Sequence, residues 1–344
     1  MRDPLEKGQN GMTTPPTPPA PRDTVAISVT GLRKSYGGRP VLDGIDLRVP
    51  EGTVFALLGP NGAGKTTTVH ILSTLVAPDA GEARVAGHDL LREPDAVRAG
   101  IGVTGQFSAV DGLLTARENL TLMADLHHLG RREGRLRTED LLDRFDLTDA
   151  ADRTAATFSG GMRRKLDLAM TLVGAPRVVF LDEPTTGLDP RSRRVMWEII
   201  RELVDDDGVT VFLTTQYLEE ADRLADRIAV LDRGGLVAEG TPEELKRRVP
   251  GAHISLRFAG PDGLAAATAA FRTGTADPEG LTLRIPGDDS VPTLRAVLDV
   301  LDHAAVHAES LTVHTPDLDD VFLSLTGTGT GSGTGTGSGK EPAR

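Results

Sequence analysis

Two hydrophobic patterns alternate along this chain. Val54–Leu58, Ile101–Val103, Val178–Leu181, Val209–Leu213 and Ile228–Leu231 are short, nearly unbroken apolar runs. They are too short for helices and lack polar alternation, so each predicts a strand buried on both faces, as in a parallel sheet covered by helices. Between them apolar residues recur every three or four positions. One helix is predicted from Lys65 to near Pro78. Thr115 and Glu118 have capping-box spacing and start another, expected to bury Leu122, Met123, Leu126 and Leu129. Helical signals continue through Leu141, Leu142 and Phe145. A further helix follows Ser159 and ends at Gly174-Ala175-Pro176. Asp189-Pro190 opens one with Val195, Met196, Ile199, Ile200 and Leu203 on a single face.

Other stretches are only half buried. Val25–Leu32 and Val41–Val49 alternate as strands joined through Gly37-Gly38, and Ile228–Leu231 turns at Gly234-Gly235 onto Leu236–Ala238. The prediction is an α/β fold with an antiparallel β subdomain and an all-helical insertion over about 107–165. Near Val249 the pattern restarts. His253–Phe258, Leu281–Ile285 and Val306–His314 read as strands, and Leu264–Phe271, Val291–Leu301 and Asp317–Leu325 as helices. The expected organisation is therefore a large α/β unit over 25–248 and a small α/β domain over 250–326. Residues 1–24 are Pro/Thr/Gly-rich and 327–344 Gly/Thr/Ser-rich, compositions expected to form disordered tails.

Composition narrows the function. With 344 residues the chain has room for one large domain and a smaller one. Lys and Arg total 38 against 50 Asp and Glu, a net charge of −12, which argues against a nucleic-acid surface or a polybasic grip on anionic lipid. There are 0 cysteines, which removes disulfides, thiolate metal sites and cysteine nucleophiles together. No apolar stretch approaches the roughly 20 residues that span a bilayer, and the amino-terminal segment has no signal-peptide run. The expectation is a soluble chain, so any membrane role requires another one.

The chemistry concentrates where apolar runs end. Val54–Leu58 passes into Gly59-Pro60-Asn61-Gly62-Ala63-Gly64-Lys65-Thr66-Thr67. Glycines allow successive backbone N–H groups to curl around an anion, and the helix starting at Lys65 adds free N–H donors and a positive dipole end. The Gly-x-x-x-x-Gly-Lys-Thr spacing suits Lys65 to β/γ-phosphates and the Thr66 hydroxyl to Mg²⁺. The run ending at Leu181 delivers Asp182 and Glu183, carboxylates that are costly at a buried strand end unless they meet a cation or a reacting water. Gln106 follows Ile101–Val103 and suits either Mg²⁺ or an attacking water, with a plain surface glutamine as the alternative. Ser159-Gly160-Gly161 suits a helix cap or an anion, and on its own reads as a cap; Asp189 is likewise an ordinary cap. Tyr36, beside the glycine turn, reads equally as a strand-end residue or as a purine-stacking ring, a contact worth roughly 1–3 kcal/mol. His127 and His128 read as helix-surface residues, having no partner at metal-ligand spacing.

Taken together and in this order, from about Val25 to Leu245, these segments resemble the nucleotide-binding subunit of an ATP-binding cassette (ABC) transporter. In that likeness Gly59–Thr66 is the Walker A loop, Gln106 the Q-loop glutamine and metal contact, and Ser159-Gly160-Gly161 the signature motif. Asp182 ends Walker B as a metal contact, Glu183 is the general base, Gly187-Leu188-Asp189 is the D-loop, and Tyr36 holds the adenine-stacking position. The resemblance implies ATP and Mg²⁺. It also implies a head-to-tail homodimer, in which Ser159, Gly160, Gly161 and Asp189 close the other copy's ATP site, and an integral membrane permease at the cytoplasmic face of the membrane. Two positions depart from the pattern: Met162 replaces a glutamine and Gln216 the switch histidine. A neutral amide can bond a γ-phosphate but carries no charge, so slow hydrolysis is expected. TTQYLEEAD, FSGGMRRKLDLAM and TPDLDDVFLSLTG narrow the resemblance to daunorubicin-resistance drug exporters. Export of a lipid, polysaccharide or antibiotic precursor stands as an alternative. A soluble repair or translation ATPase fits less well, lacking here the cysteine-rich module or second cassette those carry.

Overall fold

The computed structural model describes residues 24–106, 108–248, 252–288, 290–314 and 317–326. The two tails expected to be disordered fall outside them, Thr24 excepted. In chain order the elements begin with β1 (Val25–Tyr36), β2 (Arg39–Pro50), β3 (Val54–Leu58), α1 (Lys65–Leu72), β4 (Ala80–Val85), β5 (His88–Asp89), α2 (Pro94–Gly100) and β6 (Ile101–Thr104). Then come α3 (Ala116–Leu126), α4 (Arg131–Arg144), α5 (Gly160–Thr171), β7 (Val178–Asp182), α6 (Pro190–Asp205), β8 (Thr210–Thr215), α7 (Leu218–Leu224), β9 (Arg227–Asp232), β10 (Gly235–Gly240) and α8 (Pro242–Arg247). The chain closes through β11 (His253–Arg257), α9 (Pro261–Ala270), β12 (Thr275–Asp277), β13 (Thr282–Pro286), α10 (Val291–Ala304), β14 (Ser310–His314) and α11 (Leu318–Thr326).

The five apolar runs form one sheet, ordered β10-β9-β3-β8-β7-β6, parallel except for the edge hairpin β9–β10. Side chains alternate between its faces, and both faces are dry. Phe55, Leu57, Phe180, Phe212, Ala229 and Leu231 point toward the antiparallel sheet β2-β1-β4-β5 and pack on Ile27, Leu32, Ile45 and Leu47. Phe55 and Phe212 stack at 5.6 Å between ring centroids. Val54, Ala56, Val179, Leu181, Val211 and Leu213 point the other way, against α5, α6 and the helical insertion. Full burial of such a side chain contributes about 1.5–3 kcal/mol, so a continuous apolar run is stable only in this sandwiched position.

Several expectations are corrected. α1 stops at Leu72, short of Pro78, because Thr74 adopts φ 64 and the chain leaves the helix. The buried face of α3 carries Ala116, Asn119, Leu120 and Ala124, while Leu122 and Leu126 are 44% and 62% exposed and Met123 and Leu129 are only partly covered. Close approach decides this. Small residues let α4 come so near that a Cβ on Gly134 would sit 3.0 Å from that of Ala124. Asn119 is accommodated by bonds to Asp111 and Thr115. The polar segments that become α2 and α8 carried no helical expectation.

The third sheet, β12-β13-β11-β14, has its own core of Ile254, Leu256, Phe258, Leu264, Phe271, Leu283, Val297 and Leu301. α11 does not join that core. Leu318 and Val321 are buried in the cluster that holds α5 to α8, and the helix packs on α7 and α8. The last helix of the unit expected over 250–326 thus buries its apolar face against α7 and α8 of the preceding one.

Candidate nucleotide site

Parallel register brings the functional segments to one edge. Leu58 pairs with Thr215, Asp182 with Thr214 and Leu181 with Thr104, so β3, β8, β7 and β6 end side by side. Gly59, Gln216, Glu183 and Gln106 continue these strands, at the carboxyl end where open parallel sheets bind ligands. The amide of Gly59 donates to Thr215 O at 3.3 Å, tying the glycine loop to the segment that carries Gln216.

The loop requires its glycines. Gly64 caps α1 at φ 112, and a Cβ there would lie 2.7 Å from Leu42 Cδ2. On Gly59 a Cβ would lie 2.3 Å from Leu231 O. The backbone therefore packs directly against the start of β2 and the end of β9. Gly62 has φ 80 with open space around it. No acidic residue occupies the first turn of α1, whose free N–H groups face the loop.

The Lys65 side chain is buried. Its ammonium donates to Gly59 O at 2.8 Å and Pro60 O at 3.2 Å and lies 3.5 Å from Glu183 Oε1. Asp182 is also buried; its Oδ1 accepts from Thr66 Oγ1 at 3.3 Å and from the Thr214 hydroxyl. Thr66 and Asp182 offer hard oxygen ligands from two elements, which fits Mg²⁺ held jointly with phosphate oxygens. Among the described residues no cluster of His, Cys, Asp or Glu could hold a metal without such help. Glu183 adopts φ 50, unusual for a residue with a side chain and costing about 1–3 kcal/mol. Its N–H holds the bend by donating to Thr214 O and Thr214 Oγ1, and Thr186 Oγ1 donates to Glu183 Oε2 at 3.3 Å.

The remaining expected residues sit around this centre. Asn61 and Ala63 complete the loop, and Thr67 lies in the first turn of α1. Gln106 is exposed at the exit of β6. Gln216 is half-buried directly after β8 and does not cap α7, whose N-cap is Tyr217. Tyr36 is exposed at the tip of the β1–β2 hairpin, with Lys34 Nζ 5.4 Å from its ring centroid. Ser159 caps α5 by accepting from Met162 N at 3.2 Å. Asp189 caps α6 by accepting from Arg191 N, Ser192 N and Ser192 Oγ, and these bonds, the Ser192 hydroxyl foremost, hold its carboxyl below the usual range. Gly160 and Gly161 start α5, and Gly161 lies so close to Ser192 that a Cβ would approach Ser192 Oγ to 2.7 Å. Among the described residues no hydrogen bond or ion pair joins Ser159–Gly161 to the glycine loop of the same chain.

Three further participants did not stand out in the sequence. Thr214 is one of many strand threonines, yet its hydroxyl touches both Asp182 and Glu183. Glu220 is fully buried on α7, accepting from Thr185 Oγ1 at 2.8 Å and Trp197 Nε1 at 3.0 Å, and burial raises its pKa. Arg164, on α5, donates to the carbonyls of Asp182, Glu183 and Pro184. Only Glu220 left a trace, as a charge at an apolar helical position.

A family model described as ABC transporter matches residues 42–186. A daunorubicin resistance ATP-binding protein of Streptomyces coeruleorubidus is 52% identical over 88% of this chain and 96% of its own length. A Nod factor export ATP-binding protein of Paraburkholderia xenovorans is 39% identical over 88% of this chain and 97% of its own length. Among solved structures, an ATP-binding subunit of an ABC transporter superposes with a TM-score of 0.58 at 30% identity, covering 65% of this chain and 92% of that one. A cassette solved as a dimer bound to ADP and Pi gives 0.57 at 26% identity, covering 62% and 98%.

Proposed function

The chain belongs to the ABC transporter family as an ATP-hydrolysing subunit, and from that premise we propose that it drives efflux of a drug or antibiotic-like compound through a separate membrane permease. The observation that carries the reading of the site is the meeting of Lys65 and Thr66, at the start of α1, with Glu183 and Asp182, at the end of β7, on the carboxyl side of the parallel strands. ATP would lie on the loop Gly59–Thr67, with its adenine beside Tyr36. Lys65 would exchange its loop carbonyls for phosphate oxygens and neutralise charge there. Glu183, aimed by its bend, would take the proton of the attacking water. Gln216 and Gln106 would hold phosphate and water by their amides. Thr66, Asp182 and Gln106 would hold Mg²⁺, which supplies positive charge at the β- and γ-oxygens when bound.

Among the described residues no hydrogen bond or ion pair ties Ser159, Gly160, Gly161 or Asp189 to their own glycine loop, which supports a second copy as the partner whose ATP they close. That dimer is the species expected to work. Among the described residues no helix is long and apolar enough to cross a membrane, so passage of the substrate falls to the permease. Exposed Leu113, Leu122, Leu126 and Leu136 on the helical insertion offer an apolar surface for it. The working location is then the cytoplasmic face of the membrane. The daunorubicin and doxorubicin resistance relatives, at 44–52% identity, favour drug export over the Nod factor relatives at 37–39%.

The test is ATP-dependent uptake of anthracycline and other antibiotics into inverted vesicles holding this chain together with its membrane permease. Uptake that requires ATP and fails in Lys65→Ala supports the reading. ATP hydrolysis without movement of any such compound, together with movement of a lipid-linked sugar, would transfer it to the alternative.

A further inference from the structure

Helix α5 carries a buried ion pair behind its amino-terminal glycines. Arg164 Nη1 lies 3.3 Å from Asp167 Oδ2, with only 11% and 4% of the two side chains exposed. The guanidinium spreads its donors over four carbonyls: Nε to Pro184 O at 2.8 Å, Nη1 to Gly105 O at 3.1 Å, and Nη2 to Asp182 O and Glu183 O at 3.4 Å each. Asp167 Oδ1 accepts the backbone N–H of Ala109 at 3.0 Å. Thr104 and Thr171 hydroxyls, 2.9 Å apart, join α5 to the end of β6 just beyond.

One side chain thus reads the three consecutive carbonyls around Glu183 and the carbonyl that precedes Gln106. Its ion-pair partner holds the same loop on the other side of Gln106. A planar fork of five N–H donors can satisfy this arrangement and an ammonium cannot. Stability alone does not call for it, since a buried ion pair commonly contributes no more than well-packed apolar residues of the same volume.

We propose that Arg164 is a positioning residue for hydrolysis. It holds Glu183 and the Gln106 segment in one frame with α5, and Asp167 orients it. A shift of Ser159–Gly161 at the amino end of α5 then moves the Glu183 carbonyl and the Gln106 segment together. This rests on reading Glu183 as the general base.

The test compares Arg164→Met, Arg164→Lys and Asp167→Asn with the wild-type full chain and its permease. It measures steady-state phosphate release against ATP concentration, fluorescent-nucleotide affinity and the thermal midpoint. A displaced reacting group costs about 100-fold in rate, so Arg164→Met is expected to lose about that much kcat with KM and nucleotide affinity nearly unchanged, and to lower the thermal midpoint, because it leaves the buried Asp167 carboxylate without its partner. Arg164→Lys keeps charge without the fork and should fall between, as should Asp167→Asn. Wild-type kcat in Arg164→Met overturns the proposal. So does a loss in which kcat and nucleotide affinity fall together. Should Arg164→Met not fold, Arg164→Lys and Asp167→Asn carry the test, and full kcat in both overturns it. Glu183→Gln is measured in parallel. If that variant hydrolyses ATP normally the base assignment fails, whereas a dead Glu183→Gln beside an active Arg164→Met refutes the role of Arg164 alone.

Discussion

Replacing Leu318 by alanine tests which core the last helix belongs to. Leu318 is 2% exposed and lies in the cluster with Ala221 and Leu224 of α7 and Leu245 of α8, whereas Leu323 on the same helix is 66% exposed. A buried Leu→Ala change removes the transfer energy of the lost methyl groups and leaves a partial cavity, at a cost of about 2–5 kcal/mol. α11 is only 9 residues long, so the cavity can partly collapse, which places the expectation near the lower end, about 2–3 kcal/mol. Leu323→Ala, with little to lose, should stay within about 0.5 kcal/mol of wild type. The assay is built into the sequence. The chain has a single tryptophan, and Trp197 is buried on α6 inside this same cluster. Its fluorescence during urea unfolding reports the nucleotide-binding unit and not the third sheet. Leu318→Ala should lower the Trp197 midpoint without changing the slope, and Leu323→Ala should leave it in place. An unmoved midpoint in Leu318→Ala would show that α11 makes no stabilising contact with α7 and α8, and the reasoning would fail.

Glu183→Gln should bind ATP yet stop at the closed dimer, seen by gel filtration as an ATP-dependent doubling in size; a strictly monomeric profile counts against Glu183 as the base. Gln216→Ala should slow phosphate release, because a hydrogen bond to a charged group is worth about 1.5–3 kcal/mol, while Gln216→His should retain or raise it; an unchanged rate in Gln216→Ala removes Gln216 from the site. Asp182→Asn should shift the Mg²⁺ dependence of nucleotide binding to higher concentration, and an unshifted titration refutes Asp182 as a metal contact. Glu220 has a pKa raised by burial, so its folded form favours the proton and the stability it allows is lost as pH rises through its folded pKa. Glu220→Gln should therefore be more stable than wild type at neutral pH by a margin that shrinks toward the ordinary carboxylate range, and a margin independent of pH would refute the assignment.

Local chemistry made much of this protein legible in one dimension. Val54–Leu58 and Val178–Leu181 are apolar without alternation, and only a strand covered on both faces satisfies that pattern. The glycine spacing before Lys65 and the carboxylates of Asp182 and Glu183 break the apolar pattern so abruptly that they announce a charged ligand. Thr115 and Glu118 specified their own helix start, and the capping box is present. These features depend on neighbours in the chain, and so a sequence can state them.

What the sequence left open depends on neighbours in space. The face α3 buries was decided by the close approach of α4 at Ala124 and Gly134, which no hydrophobic period encodes. Thr214 and Arg164 look like any strand threonine or helix arginine until parallel register and the packing of α5 aim them at Asp182 and Glu183. The destination of α11 could not be read from its own amphipathic pattern, because an apolar face specifies burial and not the surface that provides it. Only the folded chain, which sets α7 and α8 side by side beneath it, made that choice.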